Sequence, residues 1–351
     1  MSSQRPPSNE QVHSSPHAAT SQSLPRAVYF DSRTNAWVAS RFVDVQAAFL
    51  EPNLCPVGQN PKNQATAKDR DDQARMRAEA IGVLTADKLA QWESEFSSQA
   101  QSIASVLPTS RAIDVVEEFG RPWALMAAMK VTGADEKEVQ HFAQLAAQVS
   151  ASTANPDDLS LKAPADAAGA ELNNALKHGA VPMAGPAFVG LSQTLPCLLA
   201  NVWHALLQHP RELERLHDDS ELIPRALEEL LRYAGLVNVL HRQAIDNLEL
   251  DGIRIKAGQR LRLIVEAAHR DAEQYSSPDK LVISRRVTRH FAFGAGPHSC
   301  AAAPLLRMAV GVVTRSFVAH FTAIEPAVPV KWNGGPVFRW PAPLYANRRK
   351  N

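Results

Sequence analysis

At 351 residues with 45% hydrophobic content, the chain is long enough for one large core or two modest ones, and disorder throughout is excluded. Lys and Arg number 37 against 36 Asp and Glu, which leaves no global electrostatic case for a nucleic-acid or membrane-surface protein. The three cysteines, Cys55, Cys197 and Cys300, are widely spaced with no CxxC pair, so neither a disulfide framework nor a structural zinc site is suggested; a reducing cytoplasm fits best.

Residues 1–26 are rich in Ser, Pro, Gln and His and hold no apolar run able to act as signal or anchor, so they read as a disordered tail ahead of a single domain over 27–351. No later stretch reaches the roughly 18 uninterrupted apolar residues of a spanning helix. AVYFDSRTNAWVAS predicts a hairpin around Thr34-Asn35, and RFVDVQAAFLEP a short helix ended by Pro52. Residues 53–70 read as a long polar loop. Helical spacing then runs from about Asp71 to Gln91, Glu93 to Val106, Ala112 to Val131 and Asp135 to Gln148, whereas Ser150 to Ala170 has little apolar periodicity.

PMAGPAFVGLSQTLPCLLANVWHALLQHP predicts one long apolar helix. Its Pro196 cannot donate to the carbonyl of Ser192 and is expected to kink it. A further helix, PRALEELLRYAG, precedes LELDGIRIKAGQRLRLIV, where Asp251-Gly252 marks a hairpin. The loop FAFGAGPHSC then leads into the helix AAAPLLRMAVGVVTRSFVAHF. The predicted fold class is mainly α with small β-sheets.

In FAFGAGPHSC, Gly294 and Gly296 permit close backbone approach and Pro297 restricts the turn before His298, so a rigid loop presents Cys300. Free N–H groups of the following helix would favour a thiolate and lower the thiol pKa. Such a ligand suits iron.

The spacing FGxGxHxC, with an apolar helix directly behind it, resembles the haem-binding loop of cytochromes P-450. Other motifs stand in that family's order: Glu229 and Arg232 in EELLRY, the hairpin, His269-Arg270-Asp271, then Cys300. The resemblance spans about residues 27 to 345 and implies a bacterial-type cytochrome P-450 fold binding heme b (iron protoporphyrin IX). By it, Cys300 would ligate the iron and Phe293 would shield the sulfur. His298, Arg242 and Arg77 would meet the haem propionates, with Gln73 where the family's histidine is usual. Glu229 and Arg232 would brace the fold beneath the haem. Ala302 replaces the usual glycine, and Lys280 the usual arginine.

GLSQT resembles the family's oxygen-side motif, with Thr194 as the proton-delivering alcohol, Gln193 in the acid position, and Ser192 able to order water. Glutamine cannot exchange a proton near neutral pH, so an acid–alcohol relay is incomplete here. Length missing before residue 25 and between Gln148 and Val181 implies a reduced distal cap. Val237, Val239, Leu240 and Phe338 would line an apolar substrate pocket.

The implied reaction is monooxygenation of a small or medium organic substrate, free or carrier-bound, in specialised metabolism. Electrons would come from a ferredoxin with its reductase or from a flavin partner. Arg75, Arg285, Arg286 and Arg289 offer that partner a basic patch. Gln193 keeps two alternatives open: peroxide-driven or non-oxygenating chemistry such as dehydration or rearrangement, and a catalytically inactive haem-binding protein.

Overall fold

The computed structural model describes residues 28–57, 67–287, 289–324 and 328–349, with backbone only for 67–73. The expected N-terminal tail, 1–26, lies outside the described residues. Helices Ala86–Val106, Arg121–Thr132, Leu195–Gln208 and Ala303–His320 build the main core. Leu195–Gln208 is apolar around almost its whole circumference and is buried accordingly, which puts it at the centre. Its Trp203 is the packing hub. It stacks on Phe317 at 4.8 Å and on Phe119 at 5.4 Å.

A second, smaller core lies under a five-stranded sheet. Strands Tyr29–Asp31 and Ala36–Ala39 form the expected hairpin, with Asn35 at φ 49 in its turn. Ala36–Ala39 runs parallel to Arg260–Ile264, which pairs antiparallel with Val239–Ala244, and Leu54–Pro56 closes the far edge. The segment predicted as a loop over 53–70 therefore contributes a strand and, from Ala67, the start of a helix.

Three other expectations are corrected. The helix expected from Asp71 to Gln91 is two helices, Ala67–Gly82 and Ala86–Val106, because Thr85 accepts the Lys88 N–H and starts a new one. The helix expected from Ala112 begins as strand Ala112–Asp114, held by antiparallel pairing with the C-terminal strand Tyr345–Arg348. After a π-turn at Val116–Gly120, the helix proper is Arg121–Thr132.

Finally, the aperiodic stretch after Ser150 holds helix Lys162–Ala175, packed against Val139–Ala154 through Ala165, Ala168 and Leu172. Alanine carries little apolar signal, so this face was faint in the sequence. Among the described residues no helix is long and apolar enough to cross a membrane.

Candidate functional site

The cysteine loop is fixed by its own backbone. Cys300 N–H donates to Phe293 O at 2.8 Å, Gly294 N–H to Phe291 O at 2.9 Å, and Ser299 N–H to Gly296 O at 3.1 Å. Gly294 and Gly296 sit at φ +69 and +66, and a Cβ on Gly296 would come within 2.4 Å of Phe49 O. The loop thus presses against helix Phe42–Leu50 in a way only glycine allows. Ala302, at the family's glycine position, has φ −86, an ordinary value, so its methyl costs nothing in backbone strain.

Burial pushes the Cys300 thiol up, against the Ala302 amide and the charges of Arg77 and Arg307. The expected lowering by the helix N-terminus is therefore outweighed: desolvating a thiolate costs more than those groups return.

Basic groups converge beside it. Arg77 donates to Ser299 O and, at 3.4 Å, to Ser299 Oγ. Arg242, 5% exposed on strand Val239–Ala244, donates to His241 O at 3.1 Å and lies over the Phe49 ring. No carboxylate pairs with it among the described residues, and burial lowers its pKa. His298, at the loop's rim, is shifted down by desolvation and by Arg242 and Arg77. A desolvated guanidinium with no counter-anion among the described residues, next to two further basic side chains, calls for an acidic guest. Together with a cysteine sulfur, this donor set fits an iron porphyrin bearing carboxylates. Gln73 lies on helix Ala67–Gly82, but its side chain is outside those described.

Glu229 and Arg232 form a fully buried bidentate pair at 2.7 and 2.9 Å. Arg232 also donates to His269 O and Pro278 O, while Glu229 Oε1 accepts the Val282 N–H. His269 Nε2 accepts the Phe291 N–H at 2.8 Å, which ties this cluster to the start of the cysteine loop. Lys280 contributes only its carbonyl, to Arg232 and Arg285.

Arg285, expected on a basic surface patch, instead turns inward to Glu229 Oε1 at 3.0 Å. A buried carboxylate with room for a second cation outcompetes solvent there. Arg75, Arg286 and Arg289 are exposed.

A second acidic cluster was not anticipated. Glu228 accepts from His290 Nε2 at 2.8 Å and from Arg307 Nε at 2.9 Å, and the Arg307 guanidinium lies 4.9 Å from the Phe293 ring centroid. Burial would raise Glu228, but these two partners bring it down to about 2. The adjacent acids of EELLRY were the available signal.

On the long helix, GLSQT is a π-turn, Gly190–Thr194, between Ala184–Val189 and Leu195–Gln208. The Leu195 N–H reaches back five residues to Gly190 O. Pro196 sits just after it, so the helix meets the missing donor by widening its turn. Thr194 is half-buried, and its hydroxyl has no hydrogen-bond partner among the described residues.

Gln193 donates to Ala143 O at 3.3 Å on helix Val139–Ala154 and lies 3.5 Å from the buried Ser192 Oγ. Gln193 is thus engaged between helices rather than free for acid chemistry, and Ser192 is shielded with it. Val237 and Phe338 are brought together by a β-bridge, with Asn238 N–H donating to Val337 O at 2.8 Å. Val239 and Phe338 are buried, and Leu240 is half-buried.

The family model "Cytochrome P-450" matches residues 214–338, the segment carrying Glu229, Arg232, Arg242, Phe293, His298 and Cys300. Over 125 residues the chain is 38% identical to 20-oxo-5-O-mycaminosyltylactone 23-monooxygenase of Streptomyces fradiae, covering 36% of this chain and 30% of that one. The aligned stretch is thus under a third of that relative's length. Polyketide biosynthesis cytochrome P-450 PksS of Bacillus subtilis aligns over 85% of both chains at 25% identity. The crystal structure of CYP109E1 from Bacillus megaterium in complex with testosterone superposes with a TM-score of 0.80, at 21% identity, covering 92% of this chain and 95% of that one. In motif order, sequence and fold, the chain belongs to the cytochrome P-450 family, of bacterial type.

Proposed function

We propose that this chain binds heme b through Cys300 and inserts one oxygen atom into a small or medium organic substrate of specialised metabolism, using electrons from a ferredoxin with its reductase or from a flavin protein. The observation that carries the reading is Arg242: a desolvated guanidinium with no carboxylate partner among the described residues, beside His298, Arg77 and the Cys300 loop. The names of the relatives, a 20-oxo-5-O-mycaminosyltylactone 23-monooxygenase and a polyketide biosynthesis protein, support the substrate class.

Bound haem would supply the oxygen chemistry, with thiolate donation favouring O–O cleavage. Arg242, Arg77 and His298 would hold its carboxylates, and the backbone bond from Cys300 to Phe293 would hold the sulfur in place. Thr194 would orient water at its hydroxyl in the widened turn. Val237, Val239, Leu240 and Phe338 would present an apolar wall to the substrate. Arg75, Arg286 and Arg289 would meet the redox partner, and reversing Arg286 and Arg289 to Glu should slow reduction by an acidic ferredoxin.

The test is a carbon monoxide difference spectrum of the reduced protein beside Cys300→Ser. A red-shifted thiolate-type band, absent in the variant, is the expected result; a wild type that takes up no haem overturns the reading. The engagement of Gln193 with Ala143 O favours one second reading, peroxide-driven turnover. Product formed with peroxide alone supports it, and strict dependence on reductant and oxygen removes it.

A further inference from the structure

Behind the Val237–Asn238 segment lies a partly open cavity of about 30 Å³, room for roughly two water molecules. The long helix walls it with Asn201 and His204, and hairpin residues Trp332 and Arg339 close the opposite side. Asn201 Oδ1, His204 Nδ1 and Glu266 Oε1 are among the buried polar atoms around it that have no hydrogen-bond partner among the described residues. Buried acceptors left this way are costly, and ordered water is what satisfies them.

Glu266 differs from the two acids of the Glu-Arg helix. Glu229 is taken by Arg232 and Arg285, and Glu228 by His290 and Arg307. Among the described residues Glu266 is the one acid with a shielded oxygen lacking a hydrogen bond. Its surroundings are Asn201 and His204 from the long helix, Arg232 and Tyr233 from the Glu-Arg helix, His269 and Arg270 beyond its own turn, and Arg339 from the hairpin.

Burial pushes the Glu266 carboxyl up to about 7, against the charges of Arg339 and Arg270. Burial also takes His204 down to about 4, so its ring is neutral there.

The position links this cavity to the oxygen side. Asn201 follows Thr194 by seven residues, two helical turns or roughly 10 Å, and therefore lies almost on the same face. The adjoining Val237 and Asn238 belong to the segment assigned above to the substrate pocket. At position 193, by contrast, an amide is bonded to Ala143 O.

We propose that Asn201, His204 and Glu266 form a buried water site in which Glu266 is the proton-exchanging acid serving the Thr194 face, in place of the acid that position 193 lacks. The inference rests on the haem reading above for its purpose, not for its chemistry. The Glu266 O–H bond breaks as a cavity water takes the proton. That water passes a proton on toward Thr194, and Glu266 regains one from bulk solvent; no electrons move.

Two measurements test it. Infrared titration of the protein should show the carbonyl band of a buried carboxylic acid that fades as pH rises through about 7 and is missing in Glu266→Gln. In the haem-loaded protein, the high-spin to low-spin balance should titrate with the same midpoint in wild type and become pH-independent in Glu266→Gln. Glutamine has the shape of the protonated acid, so the variant should fold.

No protonated band near neutrality, or an unchanged spin-state titration in the variant, overturns the proposal. The infrared arm needs no haem, so a wild type lacking the carbon monoxide band would sink the haem reading while leaving the Glu266 titration readable.

Discussion

The two sides of the candidate site are built on different physics. On the cysteine side, charges are paired and loops are pinned: Glu229 holds two arginines, Glu228 holds His290 and Arg307, and Gly296 presses on Phe49 O. On the opposite side, a π-turn at Gly190–Thr194 relaxes the helix and leaves the Thr194 hydroxyl unbonded among the described residues. Rigidity where a ligand must be held, and looseness where small molecules must be admitted, is a division of labour that substitutions can probe separately.

The largest effect should follow from breaking the buried pair. Arg232→Ala leaves Glu229 facing only Arg285 in a fully buried setting, and losing one partner of such a pair costs about 3–5 kcal/mol. Denaturant midpoints should fall accordingly, and haem uptake on refolding should collapse. A variant retaining wild-type stability would mean the cysteine side is not charge-locked.

Gly296→Ala comes next. It forces a side chain into a left-handed conformation and against Phe49 O, and such strain is worth about 1–3 kcal/mol. The carbon monoxide band should weaken more than global stability does, because the damage is local to the Cys300 loop. Equal losses in both would argue that the loop is part of the fold's nucleus.

The Glu228 cluster gives a pH signature. Its folded-state value, about 2, lies below the ordinary carboxylate range, so its contribution is full above the unfolded value and is lost as pH falls toward 2. Arg307→Gln removes one of the two groups holding it down, so acid unfolding should become less steep across that window. Parallel acid titrations of the two proteins followed by circular dichroism provide the check.

Which of these features could be read from the chain depends on how far apart their parts lie. Cys300 and its glycines, or Glu229 and Arg232 one turn apart, are contiguous patterns, and their chemistry is visible in a few letters. Arg285 was placed on the surface because its carboxylate partner lies 56 residues away. Arg307 and Glu228 are 79 apart, and no local pattern joins them.

The strand at Ala112–Asp114 exists because Tyr345–Arg348 pairs with it from the other end of the chain, overriding a helical period. GLSQT advertised a break at Pro196, yet the widened turn, and the Gln193 amide lying against Ala143 O, depend on a neighbouring helix.

Gln193→Ala should have the smallest effect, and it separates the two sides most cleanly. The substitution removes a partly buried hydrogen bond to a backbone carbonyl, which costs about 1 kcal/mol. If Gln193 is only a strut between helices, the carbon monoxide band should be unchanged, because its side-chain hydrogen bonds among the described residues go to Ala143 O and Ser192 Oγ. The spin-state titration should also keep the midpoint assigned to Glu266, because that acid stands on a separate short helix, Val265–Ala268, across the cavity from Asn201. A midpoint that moves with Gln193→Ala would place the titrating water beside the π-turn itself and tie the looseness of that side to this residue rather than to the cavity behind it.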